Sequence, residues 1–267
     1  MGSKSKSRVI TIANQKGGVG KTTTAINLAT ALAAVGKTAL IVDLDPQGNA
    51  STGLGIDKNN RPVSTYDVLT GNATLADTVM PTAVPRLFVA PSTLDLLGVE
   101  MEIAGLADRA FRIRKAIEEY DASGKHFDYV LIDCPPSLNL LTVNAMAAAN
   151  SLLVPLQCEF FALEGLSQLL QTFNEVRSTI NPDLELHGIV LTMFDSRNNL
   201  ASQVVEDVRS FMGDKVYQTI IPRNVRISEA PSYGKPAILY DLKCPGSQAY
   251  LKLASEVIKR ERKLVAA

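Results

Sequence analysis

The chain alternates two kinds of apolar spacing. Short continuous apolar runs occur at residues 9–13, 38–42, 87–90, 127–132, 152–156 and 188–193, and 216–221 has the same strand-like composition. Runs of four to six apolar residues without polar alternation predict strands buried on both faces. Between them the apolar residues recur every three or four positions. Ala25, Leu28, Ala29 and Leu32 predict a helix capped by Gly36. Residues 163–180 predict a helix closed by Asn181-Pro182, residues 204–211 another, and residues 246–263 a last one that turns Tyr250, Leu251, Leu253, Ala254, Val257 and Ile258 inward. Residues 97–120 fit one long helix or a broken pair, with Arg109, Arg112, Arg114 and Lys115 on its other faces, and the polar residues 57–64 predict a surface excursion. Strands alternating with helices throughout predict an α/β fold, a mostly parallel twisted sheet with helices on both faces. With no repeat or linker in view, residues 8–267 are expected to form one domain, and 1–7, polar and basic, a flexible N-terminal arm.

In such a sheet ligands bind beyond the carboxyl ends of the strands, so the residues that follow each run carry the chemistry. The first run is followed by Asn14-Gln15-Lys16-Gly17-Gly18-Val19-Gly20-Lys21-Thr22-Thr23, which opens the first helix. Glycines bare the backbone N–H groups, the helix N-terminus favours anions, Lys21 supplies charge to β- and γ-phosphates, and the Thr22 hydroxyl suits Mg²⁺. Gln15 stands where the usual phosphate-loop pattern has its first glycine, and Lys16 adds a second lysine. Strand, lysine, hydroxyl and helix in register argue against a turn that only shapes the backbone.

The second run ends in Asp43-Leu44-Asp45-Pro46, followed by the polar Gln47-Gly48-Asn49, and the run at 127–132 ends in Asp133-Cys134-Pro135-Pro136-Ser137. Four apolar residues and an aspartate form the Walker B pattern, which holds the Mg²⁺ shell. The prolines cannot continue a ladder and mark a turn able to respond to the terminal phosphate.

Composition narrows the partners. The 27 basic and 27 acidic residues cancel, so binding to nucleic acid must come from a local patch. Three cysteines without close spacing and two histidines indicate neither a disulfide framework nor a zinc site. The apolar stretch around 145–156 is broken by Asn150 and Pro155 and is too short to span a bilayer. A cytoplasmic protein is expected.

The loop Lys16-Gly17-Gly18-Val19-Gly20-Lys21-Thr22 resembles the deviant Walker A motif of the ParA/MinD group of P-loop ATPases. The stretches at 43–49, 133–137, 159–165 and 221–226 resemble the chromosomal, Soj-like branch, in its order and over nearly the whole chain. This resemblance implies a P-loop NTPase fold, ATP and Mg²⁺, and an ATP-induced homodimer. Lys16 would reach across the dimer to the partner's phosphates, while Lys21 would bind β- and γ-phosphates in its own subunit. Thr22 would ligate Mg²⁺, Asp45 would position the attacking water, and Asp133 would lie in the outer Mg²⁺ shell. Pro222 and Asn224 would contact adenine, and Arg197 and Arg226 match positions that grip DNA without sequence preference. The implied partners are double-stranded DNA of the nucleoid and a ParB-like stimulating protein, with no membrane. Operator recognition is not expected.

Two other readings share the fold. A MinD-like, membrane-associated ATPase needs a C-terminal amphipathic anchor, and the tail at 259–267 has no aromatic residue. An iron protein of the nitrogenase type needs paired cysteines, which the chain does not present. A ParA-like ATPase positioning another cargo fits the same residues.

Overall fold

The computed structural model describes residues 6–266. Its strands are β1 (Arg8–Ile12), β2 (Ala39–Asp43), β3 (Met80–Pro81), β4 (Leu87–Ala90), β5 (Tyr129–Asp133), β6 (Ser151–Gln157) and β7 (Glu185–Thr192). They form one sheet in the order β3-β4-β2-β5-β1-β6-β7, parallel except for the two-residue edge strand β3. The principal helices are α1 (Lys21–Ala34), α2 (Arg112–Ala122), α3 (Leu140–Ala148), α4 (Ala162–Thr179), α5 (Asn199–Met212) and α6 (Pro245–Ala266).

Strand parity divides the core in two. Val9, Leu40, Val42, Val130, Ile132, Leu152, Val154, Ile189 and Leu191 point to one face, covered by α2 to α5. Their neighbours Ile10, Ile12, Ile41, Leu131, Leu153 and Val190 point to the other, covered by α1 and α6. Burial on both faces is why the strands read as unbroken apolar runs. The 97–120 segment is a broken pair, a short turn at Val99–Glu102 and then α2.

Residues 216–221 depart from the strand expectation. They run beside β7 with only isolated bridges, Val216 to Ile189 and Pro222 to Phe194. Between them the amides of Gln218 and Thr219 donate to the Glu256 carboxylate of α6, at 2.9 and 3.1 Å, so they do not extend the ladder. Of the expected arm, residues 1–5 lie outside the described residues. Ser7 is buried, donating through N and Oγ to Asp121 at 2.9 and 2.6 Å and accepting from the Phe127 amide at 3.1 Å. Among the described residues no helix is long and apolar enough to cross a membrane.

Candidate nucleotide site

β1, β2 and β5 are neighbours, and their carboxyl ends bring the glycine loop, Asp43, Asp45 and Asp133 together. The loop is fixed at both ends while Gln15 to Gly18 stay exposed. Asn14 Nδ2 donates to the Pro155 carbonyl at 2.8 Å and its Oδ1 accepts the Lys16 amide at 3.0 Å. The Val19 carbonyl accepts from Thr192 Oγ1 at 2.8 Å, which ties the loop to the end of β7. Gly20 starts α1 from a left-handed conformation, φ 91°, that only glycine adopts cheaply, and it aims the first N–H groups of α1 outward.

Lys21 is buried, and its Nζ donates to the Lys16 carbonyl at 3.0 Å. Burial lowers its pKa, opposed by the negative potential of Asp133 and Asp45. Asp133 is fully buried, neither carboxylate oxygen receives a hydrogen bond of good geometry, and the nearby Thr22 hydroxyl only partly offsets burial and then the charge of Asp43, which raise its pKa well above the carboxylate range. A buried carboxylate short of donors is costly unless a cation or bound water serves it. With the half-buried Thr22 hydroxyl beside the loop, the donor set fits a magnesium ion held mostly through water and phosphate. Burial pushes the Cys134 thiol up to about 12, which leaves a small apolar group rather than a redox centre.

The Asp45 loop rests on residues that pattern reading passes over. Asp43 is in register with Asp133, is fully buried, and is raised to about 6 by that burial. It accepts the Ser51 amide and hydroxyl at 2.9 and 2.7 Å and the Asp45 amide at 3.2 Å. Ser92 Oγ donates to the Asp45 carbonyl at 2.5 Å, and Asp45 Oδ1 accepts the Gln47 amide at 2.9 Å. Arg61, expected on a surface excursion, is instead buried. Its guanidinium donates to the Ser92 carbonyl, Thr52 Oγ1 and the Ile56 carbonyl at 2.8, 2.8 and 2.9 Å.

Gly48, φ 61°, lies directly against that guanidinium. A methyl group there would collide with Arg61 Nη1 and stand 3.1 Å from the Ser92 carbonyl oxygen. Gly48→Ala is therefore expected to destabilise the protein by about 1–3 kcal/mol, the cost of a side chain in a left-handed, closely packed position. Urea unfolding without nucleotide measures it, and an unchanged midpoint would contradict this packing.

The remaining site residues fall in two groups. Lys16 Nζ forms an ion pair with Glu159 of its own chain. Arg197 makes a two-pronged pair with Asp195, at 2.9 and 2.7 Å, and draws that carboxyl down to about 2. Arg226 pairs with Glu229 at 3.0 Å and more loosely with Asp241 at 3.7 Å. The loops bearing the two arginines are joined by backbone hydrogen bonds, Phe194 N to Ile221 O at 3.1 Å and Arg223 N to Phe194 O at 2.8 Å. Pro222 sits at that junction, and Asn224 Oδ1 is buried with no hydrogen-bond partner. A cleft of about 290 Å³ opens at the start of α1, lined by Thr22, Thr23, Asn27, Ile227 and Pro236 among others, with neither Pro222 nor Asn224 in its wall.

A family model described as an AAA domain matches residues 7–186. The chain is 63% identical over 255 residues to the chromosome partitioning protein ParA of Caulobacter vibrioides, covering 96% of this chain and 95% of that one. It belongs to the ParA/Soj family of chromosome-partitioning P-loop ATPases. A second family member, the sporulation initiation inhibitor protein Soj of Bacillus subtilis, is 52% identical over 250 residues, 94% of this chain and 98% of that one. Among solved structures, a cobyrinic acid a,c-diamide synthase from Mycobacterium smegmatis with bound ADP and magnesium aligns with a TM-score of 0.83 and 36% identity over 96% of both chains.

Proposed function

We propose that this chain is a DNA-partitioning ATPase that binds ATP with Mg²⁺, pairs into a sandwich dimer, binds double-stranded DNA without sequence preference, and hydrolyses ATP when a ParB-like partner stimulates it. The observation that carries the reading is that Lys21 and Asp133 are both buried without making an ion pair among the described residues. The Lys21 ammonium lies in the negative potential of Asp133, whose carboxylate oxygens are buried, at the foot of a helix N-terminus aimed outward. Such a site is incomplete without an anion and a cation. Identity to a chromosome partitioning protein over nearly the full chain supports the cargo.

In this reading the amides of Gly17, Gly18, Val19 and Gly20 and the start of α1 at Thr22 and Thr23 cradle the phosphates. Lys21 neutralises β- and γ-oxygens, and Thr22 with Asp133 would hold Mg²⁺, which supplies charge neutralisation at the phosphates when bound. Asp45, oriented through Oδ1 by the Gln47 amide, places the attacking water. Asn224 Oδ1, buried without a donor, suits the amino group of adenine, with Pro222 beside it. Lys16 leaves Glu159 and reaches the partner's phosphates, acting as an arginine finger does. Arg197 and Arg226 exchange their carboxylate partners for DNA phosphates. Exposed ion pairs contribute little, so the exchange is easy.

The test is ATP turnover with neither DNA nor ParB-like protein, with each alone, and with both. Turnover is expected to rise strongly only when both are present, and turnover indifferent to both would overturn the reading. Arg226→Glu is expected to abolish the DNA-dependent part and to weaken DNA binding on the order of tenfold or more at low salt, while ATP affinity stays unchanged. Normal DNA binding by an ATP-locked Arg226→Glu dimer would remove that residue from the interface.

A further inference from the structure

Asp45 is carried by a turn that supplies most of its own hydrogen bonds. The Asp45 amide donates to Asp43 Oδ1 at 3.2 Å, the Gln47 amide to Asp45 Oδ1 at 2.9 Å, and the Gly48 amide to the Asp45 carbonyl at 2.8 Å. The Thr52 amide and hydroxyl both donate to the Gly48 carbonyl at 3.0 Å. These bonds fix the shape of residues 45–48 but not their place against the rest of the sheet. Among the described residues, one hydrogen bond reaches them from outside 43–52, from Ser92 Oγ to the Asp45 carbonyl at 2.5 Å.

Ser92 is itself held rigidly. β4 lies beside β2, with Ala90 paired to Val42, so the residues just beyond its end run along the turn. Ser92 is fully buried; its amide donates to Ser51 Oγ at 3.2 Å and its carbonyl accepts Arg61 Nη1 at 2.8 Å. Thr65 adds a second tie between the two strand ends, its amide donating to the Pro91 carbonyl and its hydroxyl to the Asp43 carbonyl, both at 2.8 Å. The hydroxyl of Ser92 is not needed to satisfy Asp45, because the carbonyl keeps the Gly48 amide without it. A fixed donor aimed at an acceptor already served contributes location more than satisfaction.

We propose that Ser92 is a positioning residue for ATP hydrolysis, its hydroxyl holding the Asp45 turn where the carboxylate can place water. The role rests on the proposed function, in which Asp45 positions the attacking water. With its side chain fully buried, Ser92 acts through Asp45 and not on the nucleotide. Arg61, on the Ser92 carbonyl, is the foot of the same strut. A shift of about 1 Å in a group that aligns reactants lowers a rate by up to about 10²-fold, so one buried hydroxyl can govern turnover while leaving ATP binding alone.

The test is a double-mutant cycle on the full chain with ATP–Mg²⁺, read as single-turnover hydrolysis beside fluorescent-nucleotide affinity. Ser92→Ala is expected to slow hydrolysis by about 10- to 10²-fold with ATP affinity unchanged. In the Asp45→Ala background the same change should slow it no further, a non-additivity that a merely structural role would not produce. Ser92→Cys keeps the size of the side chain and exchanges the hydroxyl for a weak donor, so it should show the same loss. It decides the matter if circular dichroism finds Ser92→Ala misfolded. Wild-type turnover by a folded Ser92 variant, beside a slow Asp45→Ala, overturns this proposal alone. So does a loss that multiplies with that of Asp45→Ala, or a fall in ATP affinity that accounts for the slower rate. Wild-type turnover by Asp45→Ala would instead remove the reading of Asp45, and the role of Ser92 with it.

Discussion

Asp45→Ala is expected to bind ATP and form the dimer while hydrolysing it on the order of 10²-fold or more slowly, the usual loss when a group that positions or activates a nucleophile is removed. In the proposed function the phosphate contacts belong to the glycine loop and Lys21, which the substitution leaves in place. The Asp45 backbone is held independently of its carboxylate, by Ser92 Oγ on its carbonyl and by Asp43 on its amide, so the loop should keep its course. The predicted signature is therefore a split between retained ATP affinity and lost turnover. Single-turnover hydrolysis alongside fluorescent-nucleotide binding measures both. Rapid turnover by the variant would remove Asp45 from the reaction, and loss of ATP binding would make it part of the binding site instead.

Lys16→Ala should fail at a different step. Lys21 is buried with its Nζ on the Lys16 carbonyl, whereas the Lys16 side chain is half exposed and, among the described residues, held only by Glu159. Nucleotide binding by one chain should therefore survive. A charge-assisted hydrogen bond to phosphate contributes about 1.5–3 kcal/mol, and a symmetric dimer contains two. Removing both should weaken dimerisation by about 10²- to 10⁴-fold. Light scattering with saturating ATP measures this. A Lys16→Ala protein that dimerises normally would place the lysine outside the interface.

The phosphate loop and the carboxylates at the strand ends were legible because they combine local features, an apolar run followed at once by a fixed set of residue types. The support beneath them was not. Asp43 holding Ser51, Ser92 holding Asp45, and Arg61 spanning Ser92, Thr52 and Ile56 join residues 5 to 47 positions apart, with no periodicity to announce them. A polar stretch such as 57–64 reads as surface, yet three acceptors are enough to bury the guanidinium within it. The same limit applies at 216–221, where strand composition is present but Glu256 takes the amides that would have continued the ladder. α3 was missed because its apolar residues run on without a polar face towards β6, and β3 is too short to show a pattern. The carboxylate partners of Lys16, Arg197 and Arg226 were also invisible, although two of the three lie within three residues of their arginine.

The central claim is that ATP joins two copies of this chain through the loop that binds it. The most direct measurement is the mass of the Asp45→Ala protein by light scattering without nucleotide, with ADP–Mg²⁺ and with ATP–Mg²⁺. The expected result is the single-chain mass of 28.7 kDa in the first two conditions and about twice that with ATP. A single-chain mass in ATP, with nucleotide bound, would contradict it.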